Sequence, residues 1–372
     1  MRCPRCKSLN TKRNGKTSRI PTSFGAPLEP QQRFLCLACA KSFTFERRRA
    51  QQHSRFADDV IHEAVTSYVS GIGSYRSLSK MLSRRLSRPL SRTTLNRWVD
   101  RYGSIALTPL ELSVRLAPSW SGILGVDGKA IWAGREECSV MLAVDQGTHD
   151  IVHALMVPSE TAANFKRIIH EAVTIAKYPL KGLVSDAHPG FATVHRDYLA
   201  QVPLQLCIWH FDARLDYYIP LAHRSATAAM RRELKQRIRQ ALYARTEERA
   251  LELRELLIKD RGRFGAIIPA KADPIATLIK DWDHYMAHHR HPGLPTDNNI
   301  TENVIRQLSR RLHPMEGFAS LGSADRFTRL LVAAYRFKAF TDSTRERNGK
   351  APLELAGVAL PDDWLAFVTQ PW

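Results

Sequence analysis

The sequence predicts a multidomain α/β protein, and three observations carry that expectation. The chain has 372 residues, 44% of them hydrophobic, which is more than one compact core usually organises and enough apolar surface for two or three. Its pattern changes along its length: a basic, cysteine-rich start gives way near Ser54 to apolar residues at helical spacing, then near Gly122 to short apolar runs typical of strands. Those runs alternate with helical segments in the order β-β-β-α-β-α-β, and a long charged helical stretch follows.

Residues 1–50 read as a first module. CPRC and CLAC place Cys3, Cys6, Cys36 and Cys39 in two C-x-x-C pairs, 29 residues apart. Each pair forms a tight turn that aims two thiolates at one ion, and two such turns complete a tetrahedral Zn2+ site, a zinc ribbon. PTSFGAPLEP, between the pairs, reads as an extended loop that absorbs the long interval. So small a module has little core of its own, so the metal would serve as its staple.

Residues 51–118 read as a helix-turn-helix domain and linker. FADDVIHEAVTSYVSG stops at a glycine, SYRSLSKMLSRRL gives a second helix, and SRTTLNRWVDRYG gives a third, with Ser91 as its cap. Arg92, Thr93, Thr94, Asn96 and Arg97 lie near the start of the third helix, where a recognition helix presents side chains to the major groove of DNA. Proline-marked LTPLELSVRLAPSWSG reads as a linker.

Charge supports a polyanionic partner. The formal net charge is +19, and residues 1–55 carry thirteen Lys/Arg against Glu29 and Glu46 only. Between residues 72 and 102, eight Lys/Arg face Asp100 alone. Such an excess is the electrostatic footprint of nucleic-acid binding. No stretch approaches the roughly 20 apolar residues of a membrane span, and MRCPRCKS lacks the apolar segment of a secretory signal, so a cytoplasmic protein is expected.

From residue 119 to 215 the strand candidates are GILGVD, CSVMLAVD, DIVHALMV, KGLVSD and LQLCIW. The second and third are joined by a QGTH turn, and helices are expected over SETAANFKRIIHEAVTIAK, capped by Ser159, and from about Pro189 to Leu199. Residues 216–294, including MRRELKQRIRQALYARTEERALELRELLIKD, read as a helical insertion. Residues 295–345 return to the core with an amphipathic helix after TDNNITEN, and 346–372 form a tail.

Three acids stand out against this frame. Asp127 and Asp186 end short apolar runs, and Glu302 opens the amphipathic helix. Three carboxylates supply the hard oxygen ligands that Mg2+ or Mn2+ requires for phosphodiester chemistry. Asp145 and Asp297 are the rival ligands. No Gly-rich phosphate loop of the Walker type is present, which argues against a nucleotide-driven motor.

VDG at 126–128, SDAH at 185–188, CIWH at 207–210 and NNITENVIRQLSRR at 298–311 together resemble bacterial insertion-sequence transposases of the DDE type. The Mutator-like group is the nearest resemblance, followed by groups with an N-terminal zinc module. The resemblance spans roughly residues 120–340 and implies a ribonuclease H-like core, in which the first and fourth strands lie side by side and bring Asp127 and Asp186 together. It implies Mg2+ held by Asp127, Asp186 and Glu302, with the C-x-x-H of that family falling on Cys207 and His210. His210 would contact a scissile phosphate or orient an acid, Cys207 reads as buried packing, and Trp209 reads as core. Many members carry a basic residue seven positions after the glutamate; Ser309 stands there, and Arg306 and Arg310 are the nearest phosphate ligands. The implied partners are double-stranded DNA, as element ends and target, and further copies of the chain in a dimer or larger assembly.

Overall fold

A computed structural model describes residues 1–16, 22–25, 30, 32–44, 55–220, 227–268, 273–341 and 346–370. It is a mixed α/β structure that divides into two compact units, Met1–Ala106 with Leu365–Trp372, and Leu107–Trp364. Much of the expected loop PTSFGAPLEP lies outside the described residues.

In the first unit, β1 (Thr11–Lys16), β2 (Gln32–Cys36) and β3 (Ser42–Thr44) form an antiparallel sheet in that order. Three helices follow: α1 (Asp58–Val69), α2 (Tyr75–Arg85) and α3 (Arg92–Ile105). Val60, Ile61, Ala64, Val65 and Tyr68 of α1 are buried, as are Leu78 and Leu82 of α2 and Leu95, Trp98 and Val99 of α3. These are i, i+3, i+4 spacings, so each helix buries one stripe. Serines start the second and third helices: Ser74 Oγ accepts from Ser77 N and Ser91 Oγ from Thr94 N. Between them, Ser83 Oγ accepts from Leu90 N at 2.8 Å while Ser79 Oγ donates to Leu90 O, which ties the connection to α2.

The second unit begins with α4 (Pro109–Leu116), where a linker was expected. Thr108 and Glu111 close a reciprocal capping box, and Ser113 Oγ donates to Val152 O at 2.6 Å, so the proline starts a docked helix.

The five-stranded sheet comprises β4 (Ile123–Ala133), β5 (Glu136–Asp145), β6 (Ile151–Val157), β7 (Gly182–Ser185) and β8 (Leu204–Leu206). Its order is β6-β5-β4-β7-β8; β4, β5 and β6 are antiparallel neighbours, whereas β7 runs parallel to β4 and β8 parallel to β7. The helices α5 (Ala162–Thr174) and α6 (Pro189–Tyr198) supply the crossovers that parallel pairing demands. Thr161, not Ser159, caps α5, accepting from Asn164 N; Ser159 contributes only its carbonyl, to Asn164 Nδ2.

Two further boundaries differ from expectation. β4 continues to Ala133, because Gly128–Ala133 pair in full register with Glu136–Met141. Asp127 therefore lies inside a strand rather than at its end. β8 stops at Leu206, and IWHFDARLDYY forms α7 (Ile208–Tyr218) with Cys207 as its N-cap, so CIWH is the first turn of a helix.

After α7 the described residues are helical: α8 (Ala228–Leu242), α9 (Glu247–Asp260), α10 (Pro274–Lys280), α11 (Trp282–Tyr285) and α12 (Ala287–Arg290). Their buried Leu234, Ile238, Leu257, Phe264, Leu278 and Trp282 join the same apolar cluster as Leu124, Val126 and Leu183 of the sheet. Buried Gln205 on β8 pins this stretch, donating to Tyr285 O and accepting from His288 N. The chain returns through α13 (Asn299–Leu312) and α14 (Leu321–Phe337).

β4 alternates between two environments. Leu124 and Val126 face the apolar cluster with Phe165 and Ile168 of α5, whereas Gly125 faces Thr301 and Asn298 beside α13. Helices thus cover both faces, and α14 is anchored by Arg336, whose guanidinium grips buried Asp150 through two 2.8 Å bonds. Among the described residues no helix is long and apolar enough to cross a membrane.

Candidate metal-binding acidic site

Sheet register brings the first two acids together. Gly125 of β4 lies beside Val184 of parallel β7, and continuing that register two residues directs Asp127 toward Asp186, just past the end of β7, whose charge acts on it. Neighbouring strands run about 4.8 Å apart, which makes these carboxylates electrostatic neighbours. Asp127 records the crowding: its carboxyl is pushed up to about 7, first by burial, then by Asp186, with Glu160 and Glu302 adding to the repulsion. The Gly128 N–H, donating to Asp127 Oδ1 at 2.7 Å, acts in the opposite direction. Burial and like charge both disfavour the anion here, and a bound cation would reverse both effects.

The third acid arrives by close packing. The start of α13 lies on β4 at Gly125, where a Cβ would stand 2.1 Å from Thr301 Oγ1 and 2.9 Å from Asn298 Oδ1. Only glycine allows that approach, which sets Glu302 near Asp127. Val304, Leu308 and Leu312 bury the remainder of the same stripe, which fixes the helix's rotation.

Cys207 ties the second acid's strand to the third acid's helix. Its N–H donates to Ser185 O at 2.9 Å and its sulfur accepts from Asn298 N–H at 3.4 Å, while Ile208 N–H reaches Thr296 O at 3.1 Å. His210, one turn into α7, lies with Nε2 3.6 Å from Glu302 Oε1. Among the described residues His210 Nδ1 and Glu302 Oε1 are buried without a hydrogen-bond partner, as are both side-chain polar atoms of Asn298. Such orphaned groups are uncommon and fit a site completed by a ligand.

The rival acids have other work. Asp145 is fully buried, and its carboxylate accepts from Ser121 N and Oγ before β4, from Thr148 N and Oγ1 in the β5–β6 turn, and from Tyr178 OH after α5, so its lone pairs are already spent. Asp297 accepts from Asn299 N at 3.0 Å at the start of α13. Trp209 is not core: it is 48% exposed and packs edge-on against His210, with ring centroids 5.2 Å apart. Arg306 and Arg310 are exposed along α13.

Glu160 escaped sequence reasoning. It precedes α5, its Oε1 accepts from Ser139 Oγ at 2.6 Å, and a Cβ on Gly128 would stand 2.1 Å from the same oxygen. The available signal was the glycine on each side of Val126-Asp127, which together clear room for Glu160 and for α13.

In the first unit the four predicted cysteines converge. Cys3 and Cys39 sulfurs are 3.8 Å apart, Cys6 and Cys36 3.5 Å, and all four lie within 4.8 Å of one another. Ligands at about 2.3 Å from a tetrahedral Zn2+ stand roughly 3.8 Å apart, so the spacing fits a metal and is far too long for disulfides. Each C-x-x-C is followed by a left-handed residue, Lys7 at φ 60° and Ala40 at φ 52°, so the two turns share one backbone shape. The Cys6 N–H draws the Cys3 thiol down to about 7, while the Cys6 thiol, against the pull of the Ser8 N–H, is pushed up to about 12 by the Cys36 sulfur, so the crowded sulfurs do not all ionise without a cation. This cluster could hold a metal ion such as zinc.

On α3, Arg92, Thr93, Asn96 and Arg97 are exposed, whereas Thr94 is half-buried with its hydroxyl 2.9 Å from Ser91 Oγ. No family model matches the sequence, and no curated protein matches it.

Proposed function

We propose that the chain is a DNA transposase of the DDE type with a ribonuclease H-like catalytic core, acting on the ends of an insertion sequence. The observation that carries this reading is the charge crowding at Asp127 of β4, whose carboxyl is raised by burial and by Asp186, just past the end of parallel β7, with Glu302 of a distant helix adding to it. The strand order β6-β5-β4-β7-β8 and the interposed helices α8–α12 support the core assignment. The net charge of +19 supports a nucleic-acid substrate.

Asp127, Asp186 and Glu302 would hold Mg2+ or Mn2+. When bound, the metal supplies neutralisation of phosphate charge and a lowered pKa for an attacking hydroxyl. The residues themselves orient the site: Gly128 N–H fixes Asp127, α13 presents Glu302 near its positive N-terminal end, and His210 Nε2 stands 3.6 Å from Glu302 Oε1. Exposed Trp209 beside His210 offers a stacking surface for an unpaired base, and Arg306 and Arg310 offer guanidinium groups to phosphates.

Water would attack the phosphorus at the element's end, cleaving one phosphodiester bond and leaving a 3′ hydroxyl. That hydroxyl would attack a target phosphodiester, forming one bond as another breaks, without external energy. The cysteine cluster, as a zinc ribbon, and helices α1–α3, as a helix-turn-helix domain, would bind the terminal inverted repeats. Paired cleavage of two ends implies a dimer or larger assembly on DNA in the cytoplasm.

The test is incubation with end-bearing DNA and Mg2+. Cleavage with joined product supports transposition, cleavage alone supports a nuclease, and binding alone a regulator. Full cleavage activity in Asp127→Ala, Asp186→Ala and Glu302→Ala would remove the catalytic assignment.

A further inference from the structure

The C-x-x-H of α7 supplies two potential metal ligands, and the fold adds a third. Cys207 Sγ, His210 and Glu302 place one ligand atom each within 4.8 Å of one another. The His210 and Glu302 atoms are already 3.6 Å apart, close to the edge of a tetrahedron with metal bonds of about 2.0–2.1 Å. Glu302 Oε1, the atom that faces His210 Nε2, is buried without a hydrogen-bond partner among the described residues. Cys207 is buried, and the Asn298 N–H that donates to its sulfur is the kind of outer contact that orients a metal-bound thiolate.

We propose that Cys207, His210 and Glu302 form a second transition-metal site, of the zinc class, with one position open to water. It rests on the transposase reading only in that Glu302 is shared with the acidic site. The donor set is mixed: the thiolate and imidazole select zinc over magnesium, whereas Asp127 and Asp186 offer only oxygen. Zinc held here occupies Glu302, so it competes with magnesium at the acidic site and lowers magnesium-dependent cleavage.

The test is zinc content of the full-length chain, stripped with a chelator, reloaded with Zn2+ alone and dialysed, with no DNA present. The chain is expected to retain about two zinc ions, falling to about one in Cys207→Ala, His210→Asn or Glu302→Gln. In Cys36→Ser/Cys39→Ser about one zinc remains, and cobalt in its place shows a thiolate charge-transfer band that Cys207→Ala abolishes. Should Cys207→Ala fail to fold, His210→Asn and Glu302→Gln carry the comparison. Unchanged zinc content in His210→Asn and Glu302→Gln overturns the site, whatever the cleavage assay returns. Loss of cleavage in the Asp127 variant without loss of zinc leaves the site intact.

Discussion

Replacing Asp127 with Asn should make the metal-free protein more stable at pH 8 while abolishing its response to Mg2+. In the fold the Asp127 carboxyl is raised from 3.8 to about 7, chiefly by burial and then by Asp186. It therefore binds its proton more tightly folded than unfolded, and stability falls as pH rises from about 4 to about 7. A shift of about 3 pH units corresponds to roughly 4 kcal/mol at about 1.36 kcal/mol each, an upper figure that relaxation and water entry reduce. Asn keeps the shape and can still accept the 2.7 Å bond from Gly128 N–H, but carries no charge. At about 2–4 °C per kcal/mol, the variant's melting temperature should rise by on the order of 10 °C at pH 8, by only about 2–4 °C at pH 4.5, and hardly at all below the unfolded carboxyl's own range. Mg2+ should raise the melting temperature of the parent at pH 8 and leave Asp127→Asn almost unmoved. Scanning calorimetry in a chelated buffer, with and without Mg2+, decides it. A variant that melts lower than the parent at pH 8, or gains as much from Mg2+, refutes the argument that like charges crowd this site.

The remaining expectations follow from other contacts. Glu160→Gln should lower the pH at which the decline in metal-free stability levels off and make that decline smaller, and Asp186→Asn should do so further, because Asp186 outranks Glu160 among the charges acting on Asp127; melting curves across pH 4–8 order the two. Arg336→Ala strands buried Asp150, which also accepts from Trp120 Nε1, and should cost about 3–5 kcal/mol in urea unfolding, against a smaller loss when both charges are replaced by apolar groups. Arg92→Ala and Arg97→Ala, on the exposed side of α3, should weaken DNA binding and flatten its salt dependence, with the α3 helix intact by circular dichroism. A strong zinc chelator should release the metal of Cys3, Cys6, Cys36 and Cys39 and expose the β1–β3 sheet to proteolysis, leaving residues 107–364 protected.

By itself the sequence determined what is local: the two C-x-x-C turns, Ser91 as a cap, the period of each helix and the apolar runs of the sheet. Capping, tight turns and side-chain periodicity act over a few residues, so they can be read along the chain. Even there the boundaries moved. LQL passes into α7 without a glycine or proline to mark the change, and Ala130–Ala133 extend β4 because β5 lies alongside to pair with them. Only the tertiary structure could decide which acids share a charge environment. Asp127 and Asp145 both close apolar runs in the sequence. The β4–β7 register directs one toward Asp186, while Ser121, Gly122, Thr148 and Tyr178 surround the other with hydrogen-bond donors. Glu160 and Cys207 acquire their neighbours in the same way, through Gly128 and through Asn298, by contacts between segments far apart in the chain. A carboxylate's chemistry depends on burial and on the charges within a few ångströms, and folding, not sequence order, sets both.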